Sequence, residues 1–393
     1  MTAEQLLATD VAERRQSNES GMVAIIRSSF DLVAPQAEAL GRHFYATLFS
    51  AAPATRDLFP VNMEVQRSRL LRALVHVVQM VDQRDELIPF LQQLGRDHRK
   101  FGVLAEHYDA VGTALIGAIE HFSGDAFTPK VKAAWTEAYA IAANAMRTAA
   151  AAERGPASWL GRVAGHERVG WDLARITVHT SEAIPFRAGQ YVSVETPQRP
   201  RLWRYLSPAN APRPDGSLEF HVRAVGNGWV SRAIVAHSRV GDTWRIGPPM
   251  GRMSVEPNSE TPLLMVAGGT GMAPIKALLE DFAQRPRAPR TQLFLGGRTW
   301  DDLYDIDALH QLSYDHDWLD IVPVIERDDD RSSDVRGGAE RGTLADVVTR
   351  YGAWAGHDVV VCGSPAMIRA TVSRMLVAGT PLDRIRYDPF TAD

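Results

Sequence analysis

The chain has 393 residues, of which 45% are hydrophobic and 23% are charged, and its formal net charge is −4. This length exceeds one ordinary core and predicts two or three domains, of which we expect three, while the near-neutral charge excludes a strongly basic surface for nucleic acid. Cys362 is the single cysteine, which excludes an intrachain disulfide and a cysteine-built zinc or iron–sulfur site. Small molecules are therefore the expected partners.

The N-terminal residues do not have the pattern of a signal peptide, and no uncharged apolar run reaches about 18 residues. We therefore expect a cytoplasmic protein without obligatory membrane association. A monomer or a weak dimer is the expected state.

Helical periodicity dominates from about residue 20 to residue 150, where strand signals are scarce. The predicted helices cover residues 22–32, 37–50, 63–81, 87–98, 105–123 and 129–152. Gly155 and Pro156 follow the last of them and should end it. The sequence therefore predicts an all-α domain over residues 1–154.

Short β-type runs separated by turns come next, at residues 167–179, 190–195, 217–223 and 242–246. They predict an antiparallel β-barrel domain over residues 155–258. After Pro262, strand-like runs at 263–267, 292–296, 321–324 and 359–362 alternate with helical patterns. This alternation is typical of a parallel sheet with crossover helices and predicts an α/β domain over residues 259–393.

One histidine of the helical domain is a candidate iron ligand. Leu91, Leu94 and His98 recur at i, i+3 and i+7, which places the imidazole on the apolar face of its helix. A lone core histidine is more often satisfied by a backbone carbonyl, and His107 is a rival ligand. The pattern alone leaves these alternatives open.

Polar side chains also interrupt apolar stripes upstream of His98. Gln66 shares a helix face with Leu70, Tyr45 adds a hydroxyl among core-type residues, and Phe59 lies at the following corner. A buried amide needs hydrogen-bond partners. Taken singly, each of these residues suits the core better than a site.

A glycine-rich turn follows the strand at 263–267 directly and leads into a helical pattern. The turn consists of Gly269, Thr270, Gly271, Met272, Ala273 and Pro274. This strand–turn–helix context is what a dinucleotide diphosphate requires, and a second turn at Cys362 and Gly363 strengthens it. The sequence therefore predicts a nicotinamide dinucleotide site.

In this order, the features resemble the flavohaemoglobin family, a globin domain fused to a ferredoxin reductase-like FAD/NAD module, with this chain as a divergent, actinobacterial-looking member. The resemblance covers nearly the whole chain. It implies haem b with His98 as the metal ligand, Tyr45 and Gln66 as donors to bound oxygen, and two residues against the porphyrin, Phe59 and Leu70.

The proximal side of the expected haem site both matches the family and departs from it. Tyr108 falls at the family's proximal tyrosine position, ten residues after His98, which favours His98 over His107. The family's proximal glutamate, which strengthens the ligand histidine as a donor, falls at Ala150, and Glu153 is a displaced neighbour.

The second domain resembles the family's FAD domain. The match implies that Tyr191 contacts the flavin, that Arg204 pairs with the diphosphate and that Ser207 lies near the reactive nitrogen. Leu206 takes the place of the family's tyrosine, while Tyr205 lies one residue early and should face the other side of a strand unless a bulge turns it back. A second diphosphate site is expected at Gly228, Val230 and Ser231.

The family's last redox elements also have counterparts. Cys362 and Gly363 are expected near the nicotinamide, although a buried structural cysteine is an equal alternative, and Pro389 and Phe390 match the aromatic segment that covers the flavin. No basic cluster demands a 2′-phosphate, and Arg298 is the one candidate for it. We therefore favour NADH over NADPH.

The resemblance implies an NAD(P)H-dependent flavohaem oxidoreductase of the nitric oxide dioxygenase type, with O2 and NO as substrates and nitrate as the product. Electrons would pass from NADH through FAD to haem, because a nicotinamide gives two electrons and an iron accepts one. Two alternatives stay open. One is a flavin-dependent oxidoreductase with another donor or acceptor, such as a hydroxy acid or a quinone, and the other is an oxygen or NO sensor or carrier.

Overall fold

The computed structural model describes residues 20–226, 228–326 and 338–388. The chain divides between Ala157 and Ser158 into two compact units. The first unit is helical, and the second contains two six-stranded sheets. This confirms the predicted order of an all-α domain, an antiparallel barrel and a parallel α/β domain.

The helical unit contains six α-helices in its described part. They are α1 at residues 20–33, α2 (Ala37–Ala51), α3 (Glu64–Gln79), α4 (Arg84–His98), α5 (Ala105–Ser123) and α6 (Pro129–Ala152). The bounds of α5 and α6 match the prediction residue for residue. Helix α4 starts earlier than predicted because Asp85 and Glu86 in its first turn complement the helix dipole.

The packing of this unit pairs α2 with α3 and α5, and α4 with α6. Helices α4 and α6 meet at Gly95, where a Cβ would lie 2.3 Å from the Met146 carbonyl oxygen. The Trp135 indole donates to Ser29 Oγ at 2.9 Å and ties α6 to α1. The position of α4, and of the histidine at its end, is thus set by backbone contact with α6.

The barrel contains six antiparallel strands and one helix. The strands are β1 (Trp159–Arg168), β2 (Leu173–Thr180), β3 (Val192–Glu195), β4 (Arg204–Leu206), β5 (Ser217–Arg223) and β6 (Thr243–Ile246), and the helix is α7 (Trp229–His237). Their order is β4-β3-β6-β1-β2-β5, and a bridge between Pro208 and Phe220 nearly closes the barrel.

The single strand predicted over residues 167–179 is wrong. Strands β1 and β2 form a hairpin there, and the amides of Val169 and Gly170 both donate to the Leu173 carbonyl at its turn. Strand β1 was missed because its buried positions are Gly161 and Val163 while the apolar Leu160 is exposed, so that its apolar alternation is weak.

The last domain contains the strands β7 (Leu263–Gly268), β8 (Thr291–Gly297), β9 (Leu319–Ile325), β10 (Glu340–Arg341), β11 (Asp358–Cys362) and β12 (Ile385–Arg386). Its helices are α8 (Met272–Ala283), α9 (Ile306–Asp315), α10 (Leu344–Tyr351) and α11 (Pro365–Val377). The strands form an all-parallel sheet in the order β10-β9-β8-β7-β11-β12. Apolar clusters cover both faces, which explains the continuous apolar runs of β7 and β11. The two-residue strands β10 and β12 were not predicted.

In the part of the chain that the structure describes, no helix combines the length and the apolar character that a membrane span needs.

Candidate functional site

The helices α3 and α4 are joined by a short turn and contact each other near it through two rings. His76 and Phe90 lie there with ring centroids 4.7 Å apart. Gln66 lies about 15 Å before His76 along α3, and His98 lies about 12 Å beyond Phe90 along α4, at a rise of about 1.5 Å per residue. A Cβ on Gly102, four residues after His98, would lie 3.8 Å from Leu58 Cδ2, so the segment after α4 approaches the corner that contains Phe59.

The imidazole of His98 is oriented by a backbone carbonyl of its own helix. Its Nδ1 lies 2.7 Å from the Leu94 carbonyl oxygen, and because a carbonyl only accepts, Nδ1 carries the proton. The lone pair is then on Nε2. Burial lowers the pKa of His98, so that the ring is neutral at pH 7, as metal ligation requires. The carbonyl partner expected of a structural core histidine is thus also the partner that orients a ligand histidine.

Three residues expected on the oxygen-binding side, Tyr45, Phe59 and Gln66, lie close together. Tyr45 is buried, its ring lies edge-on to Phe59 at 5.3 Å, and the Gln66 amide donates to its hydroxyl oxygen. Burial raises the pKa of Tyr45 to about 12, so that its hydroxyl stays protonated and can itself donate. Phe59 and Leu70 pack against the same apolar core cluster. A polar pair inside an apolar surround fits a small polar ligand of haem.

The acid that the resemblance implies on the proximal side is replaced by Ala150. Tyr108 is buried, and its carbonyl accepts a hydrogen bond from the Tyr139 hydroxyl at 2.5 Å. Glu153 follows the end of α6, and its carboxylate lies 4.0 Å from the Arg96 guanidinium. Among the described residues no hydrogen bond joins the Tyr108 hydroxyl to His98, so the role of Tyr108 stays a prediction.

The rival ligand His107 caps the start of helix α5. Its Nδ1 accepts a hydrogen bond from the Leu104 backbone amide at 3.1 Å, in the first turn of α5. This interaction occupies a ring nitrogen with a capping role. The structure therefore favours His98.

The face of the barrel that carries Tyr191, where flavin contact is expected, is defined by the pairing of β3 and β4. Val192 lies opposite Leu206 and Ser193 lies opposite Tyr205 in a regular antiparallel register. Opposite residues share a face and neighbours alternate, so that Tyr205 lies on the face of Ser193 and Tyr191. The Tyr191 and Tyr205 rings confirm this, since their centroids are 5.1 Å apart.

This register corrects the expectation for β4. The pairing is continuous, so no bulge is needed, and Tyr205 does not face away from Tyr191. Leu206 does not stand in for a flavin-facing tyrosine, because its side chain packs against the barrel core. The error arose because the facing of a three-residue strand depends on its partner strand, which the local sequence does not specify.

The neighbouring side chains place a cation over an aromatic ring. Trp203 lies on the same face as Tyr205, because side chains alternate along a strand. The Arg245 guanidinium lies 5.2 Å from the centre of the Trp203 ring. Arg204 lies opposite Val194, on the other side of the strand, and donates to the Trp203 carbonyl at 3.3 Å. The structure thus does not bring Arg204 onto the face of Tyr191.

The second predicted diphosphate site has a tight turn before α7. A Cβ on Gly228 would lie 2.4 Å from Ser231 Oγ, so that this turn accepts only glycine without a shift. The side chain of Val230 is fully buried in the barrel core, so only its backbone amide can donate to a ligand. Free amides at a helix start fit an anionic diphosphate. Ser207, directly after β4, is half-buried.

The two predicted dinucleotide turns lie side by side. Strand β11 pairs with β7, with Cys362 opposite Ala267, so that both turns follow the carboxyl ends of neighbouring parallel strands. A Cβ on Gly271 would lie 2.3 Å from the Cys362 carbonyl oxygen. The turns therefore touch through their backbones, at the edge where α/β sheets bind nucleotides.

The other residues of these turns differ in how far their side chains are buried. Met272, Ala273 and Pro274 are buried in the core, so that only their backbone can reach a dinucleotide. Gly269 has a left-handed φ of 57° with nothing within 4 Å of its Cβ position, and Thr270 lies between the two glycines. Gly363 lies where a Cβ would meet Met367 Cε.

Cys362 is buried against a second sulfur atom. Its Sγ lies 3.4 Å from Met253 Sδ, across the contact of the barrel with the parallel sheet. Burial raises the pKa of the Cys362 thiol, so that it is uncharged at pH 7. The structural interpretation of this cysteine accounts for its packing, and proximity to a nicotinamide stays a prediction.

A buried carboxyl group that the sequence analysis did not single out lies beside Tyr191. Burial raises the pKa of Asp388 to about 6, and its Oδ2 has no hydrogen-bond partner among the described residues. Both Asp388 Oδ2 and Tyr191 Cδ1 lie within about 3 Å of the position of a Cβ on Gly251, at 3.0 and 2.9 Å. The predicted Pro389 and Phe390 follow at once and lie outside the described residues.

Buried hydrogen bonds tie the barrel to the parallel sheet. His221 Nε2 lies 2.8 Å from Glu219 Oε1, its Nδ1 lies 2.9 Å from the Tyr304 hydroxyl, and Lys276 donates to Glu219 at 2.7 Å. Burial raises the pKa of Glu219, but the hydrogen bonds from His221 and Lys276 lower it further, to about 2. Glu219 and His221 alternate with apolar residues in the predicted strand at 217–223, but this pattern does not identify Tyr304 or Lys276 as their partners.

Three protein families match successive parts of the chain. Residues 42–146 match Globin, residues 161–255 match the oxidoreductase FAD-binding domain and residues 265–373 match the oxidoreductase NAD-binding domain.

Similar curated proteins fall into two groups. The flavohemoprotein of Bacillus subtilis is 24% identical, over 94% of this chain and 96% of the relative, and that of Chromobacterium violaceum is 26% identical, over 93% and 96%. The reductase component of the naphthalene 1,2-dioxygenase system of Pseudomonas putida is 30% identical, over 58% of this chain and 68% of the relative.

A solved structure reproduces the whole fold. The flavohemoglobin of Malassezia yamatoensis, with bound FAD and heme, aligns with a TM-score of 0.77 at 19% identity and covers 93% of this chain and 98% of that one. With a globin domain ahead of its reductase domains, the chain belongs to the FAD- and NAD-binding oxidoreductases and is a flavohemoprotein whose cofactors are haem, FAD and NAD.

Proposed function

We propose that this flavohemoprotein is a nitric oxide dioxygenase, which uses electrons from NADH to convert O2 and NO to nitrate. The observation that supports the proposal best is the hydrogen-bonded pair of Tyr45 and Gln66 inside an apolar cluster that includes Phe59, whose neighbour Leu58 lies next to Gly102, four residues after His98. Similarity to flavohemoproteins along nearly the whole chain also supports it.

When bound, FAD accepts a hydride from the nicotinamide and passes electrons singly to haem, where oxygen chemistry takes place. The chain's residues bind and orient these groups. His98 presents Nε2 as the iron ligand, because the Leu94 carbonyl holds the proton on Nδ1. The protonated Tyr45 hydroxyl donates toward the ligand side, and the Gln66 amide donates to Tyr45 and strengthens that donation. Such donors stabilise negative charge that develops on oxygen.

The reductase residues have separate tasks. Tyr191 and Tyr205 offer ring surfaces for the flavin, and the amides at the start of α7 offer donors for its diphosphate. The turn at Gly271 brings backbone amides to the dinucleotide diphosphate. The uncharged Cys362 thiol contributes packing and no nucleophile.

We propose NADH as the preferred electron donor. Arg298 follows β8 with an exposed side chain, and its backbone amide donates to the Asp302 carboxylate at 3.0 Å. Burial raises the pKa of Asp302, but the ion pair with Arg223 lowers it further, and the carboxylate stays charged. The negative charge of Asp302, after the end of β8, repels the 2′-phosphate of NADPH. A lower kcat/KM for NADH than for NADPH would contradict this.

A second candidate function has an observation in its favour. Ala150 replaces the family's proximal acid, and Glu153 is held by Arg96 instead. A weaker ligand histidine reduces the donation of electrons to oxygen. The reductase-type relatives carry electrons to other proteins, according to their names. The alternative is thus an oxidoreductase with another donor or acceptor, such as a hydroxy acid or a quinone.

Two measurements on the purified holoprotein separate these functions. Anaerobic NADH is expected to bleach the flavin band and then shift the haem Soret band. In air, NO is expected to accelerate NADH oxidation with nitrate as the product and two NO consumed for each NADH. Equal NADH oxidation with and without NO would contradict the dioxygenase, and a quinone or hydroxy acid that replaces NO or NADH would support the second candidate. Tight ligand binding with negligible NADH consumption would indicate a sensor or carrier.

A further inference from the structure

A buried ion pair flanks His98 at the end of α4. The Lys100 ammonium donates to the Asp97 carboxylate at 2.5 Å, and the two side chains are 2% and 14% exposed. Asp97 directly precedes His98 in α4, and Lys100 follows it in the 3-10 turn Arg99–Phe101. Neither residue is among the haem, flavin or dinucleotide residues that the sequence predicts.

Stability does not account for this pair. Lysine is almost never fully buried unless it is paired, and taking two charges out of water costs free energy that their attraction returns only in part. An apolar pair of similar volume often stabilises a fold equally well or better. The charges of Asp97 and Lys100 therefore need another explanation.

Both charges act on the His98 imidazole. The Phe101 ring lies 5.0 Å from the Lys100 ammonium and edge-on to the His98 ring, with the two ring centroids 5.9 Å apart. Burial has the largest effect on the pKa of His98 and lowers it, while the Asp97 carboxylate raises this pKa and the Lys100 ammonium lowers it. Burial and, to a lesser degree, the Arg69 guanidinium of α3 lower the pKa of Lys100, and the Asp97 carboxylate opposes them.

A charge beside an iron ligand changes the balance between the two oxidation states of the iron. Ferric iron carries one more positive charge than ferrous iron, so that a nearby carboxylate favours the ferric state and a nearby ammonium favours the ferrous state. Water and salt screen buried charges poorly, which keeps these effects strong. The proximal glutamate that the resemblance implies is replaced by Ala150, and Asp97 is the acidic residue that adjoins His98 in the chain.

We propose that the Asp97–Lys100 pair sets the reduction potential of the haem iron, with Asp97 favouring the ferric state and Lys100 limiting that effect. The proposal rests on His98 as the iron ligand. Both residues act through the electric field at His98 and are positioning residues, not catalytic ones. The pair thereby sets how completely electrons leave the flavin for the haem, the step that separates the dioxygenase from a reductase with another acceptor.

The test measures the haem and flavin midpoint potentials of the purified holoprotein by spectroelectrochemical titration, without oxygen or NO. Asp97→Asn removes the negative charge and keeps an amide oxygen that can accept from Lys100. It should raise the ratio of ferrous to ferric haem at a fixed potential about tenfold, the effect of a unit charge over roughly 10 Å at an effective dielectric constant of about 20. Lys100→Met leaves Asp97 unbalanced and should lower this ratio by a similar factor. The double variant should return close to the wild type.

Opposite signs separate an electrostatic effect from a structural one, because a loosened haem pocket would shift both single variants in the same direction. Lys100→Arg keeps the positive charge and should have the wild-type potential. The flavin potential is an internal control and should not change in any variant. The matched control is Glu38→Gln, which breaks the exposed pair of Glu38 with Arg42 on α2 and should leave the haem potential unchanged.

An unchanged haem potential in Asp97→Asn, or shifts of the same sign in both single variants, would overturn the proposal. If Lys100→Met holds no haem, a raised potential in Asp97→Asn with a wild-type potential in Lys100→Arg supports the proposal, and any other result overturns it. Weaker haem binding by Lys100→Met with an unchanged potential would assign Lys100 to a haem carboxylate instead.

Two further outcomes concern what lies beneath the proposal. Haem retained by His98→Ala would overturn the ligand assignment on which the proposal rests. Absence of NO-stimulated NADH oxidation would contradict only the dioxygenase, because the potentials are measured without NO.

Discussion

The ring of Tyr205 lies edge-on to the ring of Tyr191, with centroids 5.1 Å apart and an interplanar angle of 70°. The two tyrosines are on different strands and share a face only because β3 and β4 pair in an unbroken register. Tyr205 is 48% exposed, so one side of its ring is available to a ligand. We therefore expect this pair, and not Leu206, to supply the aromatic surface of the flavin site.

Changing Tyr205 to Ala should weaken FAD binding roughly fivefold, since an aromatic pair contributes about 1 kcal/mol beyond its buried area. Tyr205→Phe keeps the ring and should bind FAD almost as the wild type does. Leu206→Tyr should not improve FAD binding, and it should lower the free energy of unfolding by about 1–3 kcal/mol because the larger ring overpacks the barrel core. Flavin fluorescence titration and denaturant unfolding measure these effects. Tighter FAD binding by Leu206→Tyr would contradict the observed facing of β4.

Local signals were enough for much of the fold. The bounds of α6 follow from Thr128, whose side chain accepts from the Val131 amide, and from Pro129 at the first helical position. The strand–glycine turn–helix at residues 263–274 was predictable because each part has its own short-range pattern. The site residues Tyr45, Gln66 and Phe59 needed the family resemblance, since each one alone suits a core.

Nonlocal pairing explains what the sequence did not show. The facing of Tyr205 depends on β3, and the hydrogen bonds of His221 depend on Tyr304, just before α9 in the parallel-sheet domain. The lone carboxyl of Asp388 became notable only through burial next to Tyr191. None of these relationships has a periodicity or a fixed spacing in the chain.

The change His98→Ala should abolish stoichiometric haem binding, because the chain then lacks the oriented Nε2 ligand. Added imidazole should restore a Soret band in part by occupying the vacated position. In contrast, His107→Ala should keep haem and lose about 0.5–2 kcal/mol of stability through its capping role in α5. The haem-to-protein ratio and the unfolding midpoint check both variants. Normal haem content in His98→Ala, or loss of haem in His107→Ala, would reverse the assignment.

Removing the Tyr45 hydroxyl with Tyr45→Phe should speed oxygen dissociation about tenfold, the effect of losing a hydrogen bond of roughly 1–1.5 kcal/mol. Gln66→Leu should act in the same direction and more weakly, because Gln66 donates to Tyr45. Burial raises the pKa of Tyr45 to about 12, so the donor proton is present below that pH and lost above it. Wild-type oxygen dissociation, followed by stopped flow, should therefore stay constant up to about pH 10. A break near pH 10 would contradict the buried, protonated hydroxyl.

The buried carboxyl of Asp388 should make stability depend on pH. Burial raises its folded pKa from 3.8 to about 6, so its contribution to the free energy of unfolding is fully present below pH 4 and is lost as the pH rises through 6. An amide at this position does not ionise. Asp388→Asn should therefore be more stable than the wild type at pH 7, by on the order of 2 kcal/mol, with a smaller difference at pH 5. Denaturant unfolding followed by flavin release measures it. The exposed Asp301→Asn is the control, and an equal pH dependence in both variants would refute a buried acid.

The glycines of the dinucleotide turn should respond differently to alanine. In Gly271→Ala the new methyl would lie 2.3 Å from the Cys362 carbonyl oxygen, a backbone atom, so the two turns must separate. We expect the Michaelis constant for NADH to rise at least about tenfold, while the flavin and haem spectra stay normal. Gly269→Ala meets no atom within 4 Å and bears only the strain of a left-handed φ of 57°, about 1–2 kcal/mol, so its effect on NADH should be smaller. Steady-state kinetics with ferricyanide as the acceptor isolates this step from haem. A larger defect in Gly269→Ala than in Gly271→Ala would show that the contact of the two turns does not shape the NADH site.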